Sequence, residues 1–505
     1  MDRTHIGCCP HVTRRGFLGG VGAVIGGSAL AHPSWPTLAA GLDQTAPVRS
    51  SLVVKPILVY EIPKPKNQTS WRSWGGIQTE DQAREEVRRI QAELAGLEKK
   101  ADFPVRFLPV SQLKRSEELD AVREDIASCQ ATIVYGAGGS KAVYDKIGQS
   151  GKDVVLFVRH KSGPVYLWYE IISPRYLRQH KDELAVAGID FDDVVVDSQD
   201  ELSWRLRGLC GLHNTRGSRI VAIGGAGAWA QPEGVVPDLV RRLWKLDIQD
   251  VSYKELGKLI EQARGDQPTV ERARTRATEY LRLPGTKLET KKEFVENAFL
   301  VEQVFVGLMK QAESRAITVN SCMGTIMPMA QTTACLVLSL LNDAGYLAFC
   351  ESDFVVIPSG LLLGNISGKP VFLNDPTYPH DGLITLAHCT APRKNDGKTL
   401  DPARIMTHFE SDYGAAPKVD MKIGQVVTNI IPDFKSERWV GFCATVAENP
   451  NLDICRSQID VRYDCDSALV ARNMPGFHWM TGYGDYTREL GYALKKVPIK
   501  WEKLA

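Results

Sequence analysis

The strongest constraint on this chain is a set of short, nearly unbroken apolar runs, each separated from the next by helical stretches. Leu52 to Ile62, Ala131 to Tyr135, Val154 to Val158, Arg219 to Gly225 and Tyr346 to Cys350 are the clearest, with Gly136, Arg159 and Glu351 directly after three of them. A strand with no polar face has to be covered on both sides, which is the condition of a parallel sheet between helices. The helices are legible too. Glu80 to Lys100 sets Ala83, Val87, Ile90, Leu94 and Leu97 at three- and four-residue intervals among charges, the stripe of an amphipathic helix. Ser252 to Ala263 repeats the pattern, Thr286 to Ala316 reads as one long helical stretch, and Ile317 to Val319 as a short strand. Thr332 to Asp343 carries Ala334, Leu336, Leu338 and Leu341 and stops before Gly345, a residue suited to ending a helix.

Near residue 366 the pattern changes. Lys369 to Leu373, Gly382 to Ala387, Gln425 to Ile431, Trp439 to Val446 and Ser457 to Tyr463 are short runs separated by Gly, Asn, Asp and Pro, the marks of successive β-strands. A helix near Tyr486 to Lys496 closes the chain. The expected fold class is therefore α/β: two N-terminal α/β units with parallel sheets, followed by a mostly β C-terminal domain, with a barrel as one way to close so many strands. The expected boundaries are a leader and linker over 1–45, α/β domains over 46–212 and 213–365, and the β-rich domain over 366–505.

With 505 residues, 44% hydrophobic and 24% charged, the chain can bury several large cores. Its 61 basic and 60 acidic residues are spread evenly, so no basic stripe exists for a phosphate backbone, and nucleic acid is not an expected partner. The eleven cysteines include Cys8 and Cys9, and the other nine are scattered without a Cys-x-x-Cys spacing, which argues against a disulfide framework or a structural zinc site. Most read as buried small hydrophobes.

Thr13-Arg14-Arg15-Gly16-Phe17-Leu18 is a twin-arginine export pattern, and the apolar stretch after it ends in the small-residue site Ala29-Leu30-Ala31. That stretch is shorter than the ~20 residues that span hydrocarbon. The expectation is a Tat signal peptide, a periplasmic or other extracytoplasmic location, and contact with a membrane only during export.

Four later segments carry side chains suited to chemistry: Cys350-Glu351-Ser352-Asp353, Asn374-Asp375-Pro376, His388-Cys389-Thr390-Ala391-Pro392 and Pro475-Gly476-Phe477-His478. Glu351 falls just past the carboxyl end of a strand, where open α/β sheets bind ligands. Glu351, Asp375 and His478 offer two hard oxygens and an imidazole, a set that suits Mn²⁺, Mg²⁺ or Fe²⁺ better than a thiolate site does. Cys350 and Cys389 read as packing neighbours rather than ligands. Ile220 to Gly227 resembles the turn of a dinucleotide site, but Pro232 and Gly234 interrupt the helix such a site needs, so a plain strand-to-loop turn is expected.

From Asn320 to His478 the chain resembles the L-fucose isomerase and L-arabinose isomerase superfamily. The resemblance begins with Thr332-Thr333-Ala334-Cys335-Leu336 and Leu341-Asn342-Asp343-Ala344-Gly345, and continues with the Cys350 and His388 segments above. Gly424 to Thr428, Cys455-Arg456 and Tyr483-Gly484-Asp485 add weaker likeness. It implies that Glu351 and Asp375 are the two catalytic carboxylates and metal ligands, and that His478 is the C-terminal metal-binding histidine. His388 matches the extra histidine of arabinose-isomerase-like members, as a fourth ligand or a substrate contact. The implied reaction is aldose–ketose isomerisation of a monosaccharide through an enediolate, with a divalent metal, Mn²⁺ the first choice, in a homo-oligomer. Trp479 departs from the pattern, standing where many relatives have a second histidine. A metal-dependent epimerase or lyase, and an exported sugar-binding protein without turnover, are the alternatives that the residues leave open.

Overall fold

The computed structural model describes residues 46–166 and 189–504, so the export motif lies outside the described residues. The first sheet is parallel, in the order Val105–Phe107, Leu52–Val59, Ala131–Gly136, Asp153–Val158, Val194–Val196, with Ser111–Leu113 also paired to Leu52–Val59. Its helix Glu80–Lys100 turns Ala83, Ile90, Leu94 and Leu97 inward. Thr79 starts that helix through a capping box: its hydroxyl accepts from Gln82 N–H while the Gln82 side chain accepts from Thr79 N–H.

A second parallel sheet runs Leu347–Cys350, Ala316–Val319, Arg219–Ile223, Asp247–Val251. Leu347 and Phe349 pack into the apolar cluster that holds the helix Ile357–Ser367, whereas Ala348 and Cys350 join the one built on the helices Lys292–Gln311 and Ala334–Asp343. Alternate side chains thus enter different cores, and the strand has no polar face for this reason.

The last third contains a closed antiparallel barrel. Around it run Val426–Pro432, Trp479–Tyr483, Val371–Pro376, Leu383–His388, Ser457–Arg462 and Arg438–Glu448, which pairs back to the first. Closure leaves no edge among these six strands, and Lys500–Lys503 is added outside the ring, parallel to Arg438–Glu448. The architecture is α/β with parallel sheets, then a mostly β, barrel-containing region. Among the described residues no single helix is long and apolar enough to cross a membrane.

One local expectation needs correcting. The helical stretch expected from Thr286 begins at Lys292; Thr286–Leu288 is instead a strand parallel to Ala403–Met406, in a small sheet completed by Ala416–Val419. Three largely exposed residues carry too little apolar pattern to announce a strand whose partner lies far down the chain. After Arg219–Ile223 the chain does pass from strand into loop, with no helix opening at the glycines, as expected. It continues to Gly234 before the helix Val235–Trp244 starts, and on the way Gly227 N–H donates to Ser352 O at 3.2 Å and Phe354 N–H donates to Gly227 O at 3.0 Å.

Candidate metal centre

The site lies where the second sheet meets the barrel rim. Glu351 is the first residue past Leu347–Cys350, and Asp375 lies in Val371–Pro376 opposite Ala387, next to His388 at the end of its strand. His478 immediately precedes Trp479, which pairs with Asn374. Three neighbouring barrel strands therefore deliver Asp375, His388 and His478 to one end, and the α/β sheet delivers Glu351 from the side.

The four side chains converge. His478 Nε2 lies 3.4 Å from Glu351 Oε2 and 3.2 Å from Asp375 Oδ1, and His388 Nε2 lies 3.8 Å from Glu351 Oε1. Both histidines and Glu351 are buried or nearly so. Glu351 and Ser352 are consecutive non-glycine residues with φ of 68° and 48°, a left-handed backbone of the kind that costs about 1–3 kcal/mol each and gathers at functional sites. Ser352 N–H donates to Thr318 Oγ1 at 3.1 Å, which holds the turn to the neighbouring strand.

Electrostatically the group leans toward the ionised acid. Burial pushes the Glu351 carboxyl up, but the close approach and charge of His388 and His478 prevail and hold it down at about 2. Burial pushes both imidazoles down, and the surrounding carboxylates reverse this: Glu351 and Asp375 raise His388, while Asp353, Asp375 and Glu351 raise His478 well above its ordinary value.

A metal ion fits these donors. A six-coordinate small cation with ligands at about 2.1 Å places neighbouring ligand atoms about 3 Å apart and opposite ones about 4.2 Å apart, and the 3.2, 3.4 and 3.8 Å separations fall within that range. Glu351 Oε2 and His388 Nε2 are buried with no hydrogen-bond partner among the described residues, a costly arrangement unless something else uses them. Cys350, Glu351 and His388 can each offer one atom within 4.8 Å of the others, so Cys350 also belongs to the cluster. Its thiol hydrogen-bonds to Cys322, and that bond together with burial raises it well above the ordinary value. A soft thiol suits the hard cations that carboxylates favour less well than the carboxylates and imidazoles here do.

Asp353 is the functional residue that the sequence reading left without a role. Its Oδ2 lies 2.6 Å from His478 Nδ1, and its Oδ1 accepts from Val355 N–H at 3.1 Å and Trp229 N–H at 3.3 Å. A carboxylate on Nδ1 fixes the ring and aims Nε2 at Glu351 and Asp375, the outer support that metal-binding histidines use. Thr390 Oγ1 sits 3.0 Å from His388 Nδ1 in the corresponding position. The available signal for Asp353 is its place two residues past Glu351, and for Thr390 its place two residues past His388. Trp229 and Phe477 stack at 4.0 Å with 11° between their rings, beside His478. Trp479 is fully buried and meets Phe442 edge to face at 5.7 Å.

No protein-family model matches the chain, and no curated protein matches its sequence. The arrangement itself is a small buried Cys/Glu/His cluster able to coordinate a metal ion, as a metal-dependent enzyme requires.

Proposed function

We propose that this protein is a divalent-metal-dependent aldose–ketose isomerase of the L-fucose and L-arabinose isomerase type, with a monosaccharide as substrate and Mn²⁺ as the cation. The observation that carries the reading is the meeting of Glu351, Asp375 and His478 from three separate segments, with Asp353 on the far nitrogen of His478. Glu351, Asp375 and His478 would hold the cation, with His388 as a fourth ligand or a contact to the sugar. When bound, the cation supplies Lewis-acid polarisation of two adjacent sugar oxygens.

The remaining chemistry belongs to the chain. Glu351 comes from the α/β sheet and Asp375 from the barrel, so the two carboxylates approach a bound sugar from different elements. One takes the proton from the carbon beside the carbonyl, and the other returns a proton to the adjacent carbon, converting aldose to ketose through a cis-enediolate without net oxidation. The stacked Trp229 and Phe477 offer an apolar wall for the C–H face of the sugar. The twin-arginine pattern at Arg14 and Arg15 supports export by the Tat pathway to a periplasmic or other extracytoplasmic location.

The test is to load the purified chain with Mn²⁺ in D₂O, offer a panel of aldoses and ketoses, strip the metal and record NMR spectra. Ketose formed with solvent deuterium at C1 or C2 is the expected result. Metal binding with neither exchange nor ketose across a broad panel would contradict the isomerase reading and favour sugar binding without turnover.

A further inference from the structure

At the opposite, amino-terminal ends of the second sheet's strands lie two cavities of about 330 and 220 Å³ that share Val48, Arg315 and Leu347. Arg49 lines the smaller, and Ser218 and Asn365 line the larger. The two guanidinium groups converge on one residue: Arg49 Nη1 donates to Asn365 O at 2.7 Å, and Arg315 Nη1 donates to Asn365 Oδ1 at 3.3 Å. Among the described residues neither arginine forms an ion pair; their other acceptors are the backbone carbonyls of Ile366, Asp102 and Gly345.

The nearby carboxylates are committed elsewhere. Asp247 and Glu313 line the larger cavity but face Arg219, at 2.7 and 3.7 Å, and Asp102 accepts from Arg207 at 2.7 Å. Arg315 Nε and Ser218 Oγ are buried with no hydrogen-bond partner among the described residues. Burial first, and then the charge of Arg49, press the Arg315 guanidinium down to about 10. Burial likewise lowers Arg49. Two like charges held close, with the one carboxylate near Arg49, Asp102, already paired to Arg207, and beside two unused donors, form an environment that an anion relieves.

We propose that the larger cavity seats a phosphate group, held by Arg315 and Ser218, with Arg49 adding its charge from the adjoining smaller cavity. The forked donors of a guanidinium match the oxygens of a phosphate, and each such charge-assisted bond is stronger than a neutral one. A volume of about 330 Å³ lies at the low end of small-molecule pockets, roughly 300–1,000 Å³, which admits a phosphate monoester as well as free phosphate. Because Ser218, Arg315 and Leu347 mark the strand ends away from Glu351, the bound group would act on stability or on the sheet, not in the reaction.

The experiment uses the full chain in phosphate-free buffer, with inorganic phosphate titrated by calorimetry and by melting temperature against chloride at equal ionic strength. A saturable heat and a rise in melting temperature, with one site per chain, are expected. Arg315→Gln should weaken binding about ten-fold or more, the loss of one strong charge-assisted contact. Ser218→Ala should weaken it by a smaller factor, and Arg241→Gln, whose arginine lines neither cavity and pairs with Asp238 of its own helix Val235–Trp244, should leave it unchanged. Displacement of phosphate by glucose 6-phosphate would support a phosphate monoester as the occupant, and failure to displace it would support free phosphate. A phosphate response no larger than that of chloride, or an unchanged affinity in Arg315→Gln, overturns the proposal; if Arg315→Gln does not fold, an unchanged affinity in Ser218→Ala does so.

Discussion

Arg159 and Glu351 occupy matching places, each the first residue past a buried parallel strand, and each lies in a buried cluster of charges. Their surroundings differ. Arg159 donates through Nε to Glu86 at 2.6 Å and Tyr166 at 2.9 Å, through Nη1 to Glu93 at 3.0 Å and Ser162 Oγ at 2.9 Å, and through Nη2 to Glu93 at 2.8 Å. Tyr166 OH in turn donates to Glu86 at 2.6 Å. Glu351 leaves Oε2 without a hydrogen bond, stands beside His388 Nε2 in the same condition, and sits on left-handed backbone. A buried charge with every donor matched is a structural fastening, whereas one with unmatched atoms and strained backbone is poised for a ligand.

That contrast can be broken most sharply at Glu351. Glu351→Gln keeps the shape and removes the charge, so the proposed isomerase turnover should fall by at least about 10³-fold, within the range expected for losing a positioned acid–base group, while the fold persists. Turnover assays alongside circular dichroism check both halves of the statement. Arg159→Met should do the reverse. Removing one partner of a buried ion pair leaves Glu93 without a cation among the described residues and Glu86 with Arg89 alone, and denaturant unfolding should show a loss of about 3–5 kcal/mol with metal binding per folded chain unchanged.

Asp353→Asn sharpens the comparison, because it alters only the support of His478. Metal affinity should weaken about 10–100-fold, as for other outer supports of metal-binding histidines, with stability affected less than in Arg159→Met. A pH series completes the set. His388 and His478 have raised folded values, so their contribution to metal-free stability is complete below about 6.5 and is lost as pH rises through those values. Metal must displace the same protons, so apparent Mn²⁺ affinity should rise across that window, by up to about ten-fold per displaced proton per pH unit. Calorimetric titrations and melting curves at stepped pH measure the two opposing trends.

Much of the fold could be read because strands covered on both faces are written as continuous apolar runs, as in Ala131–Gly136 and Leu347–Cys350. Thr286–Leu288 escaped because its strand character comes from a distant partner and not from its own three residues. At the site, Glu351, Asp375, His388 and His478 were selected by residue type and resemblance, and the structure brings them within a few ångströms. Asp353 was visible as a letter but not as a contact. Two carboxylates two positions apart look alike in a sequence; only the left-handed turn at Glu351 and Ser352 sends one toward His478 Nε2 and the other toward Nδ1. Cys350 reads in the sequence as a packing residue, and its place in the cluster follows from strand geometry that residue type does not encode.

The most direct test is a calorimetric titration of metal-stripped protein with Mn²⁺, run on the parent chain, His478→Ala and Arg159→Met. One equivalent bound per chain is expected in the parent and in folded Arg159→Met, and no measurable binding in His478→Ala. An unchanged stoichiometry and affinity in His478→Ala, or no binding in the parent chain, would contradict the assignment of a metal centre to Glu351, Asp375 and His478.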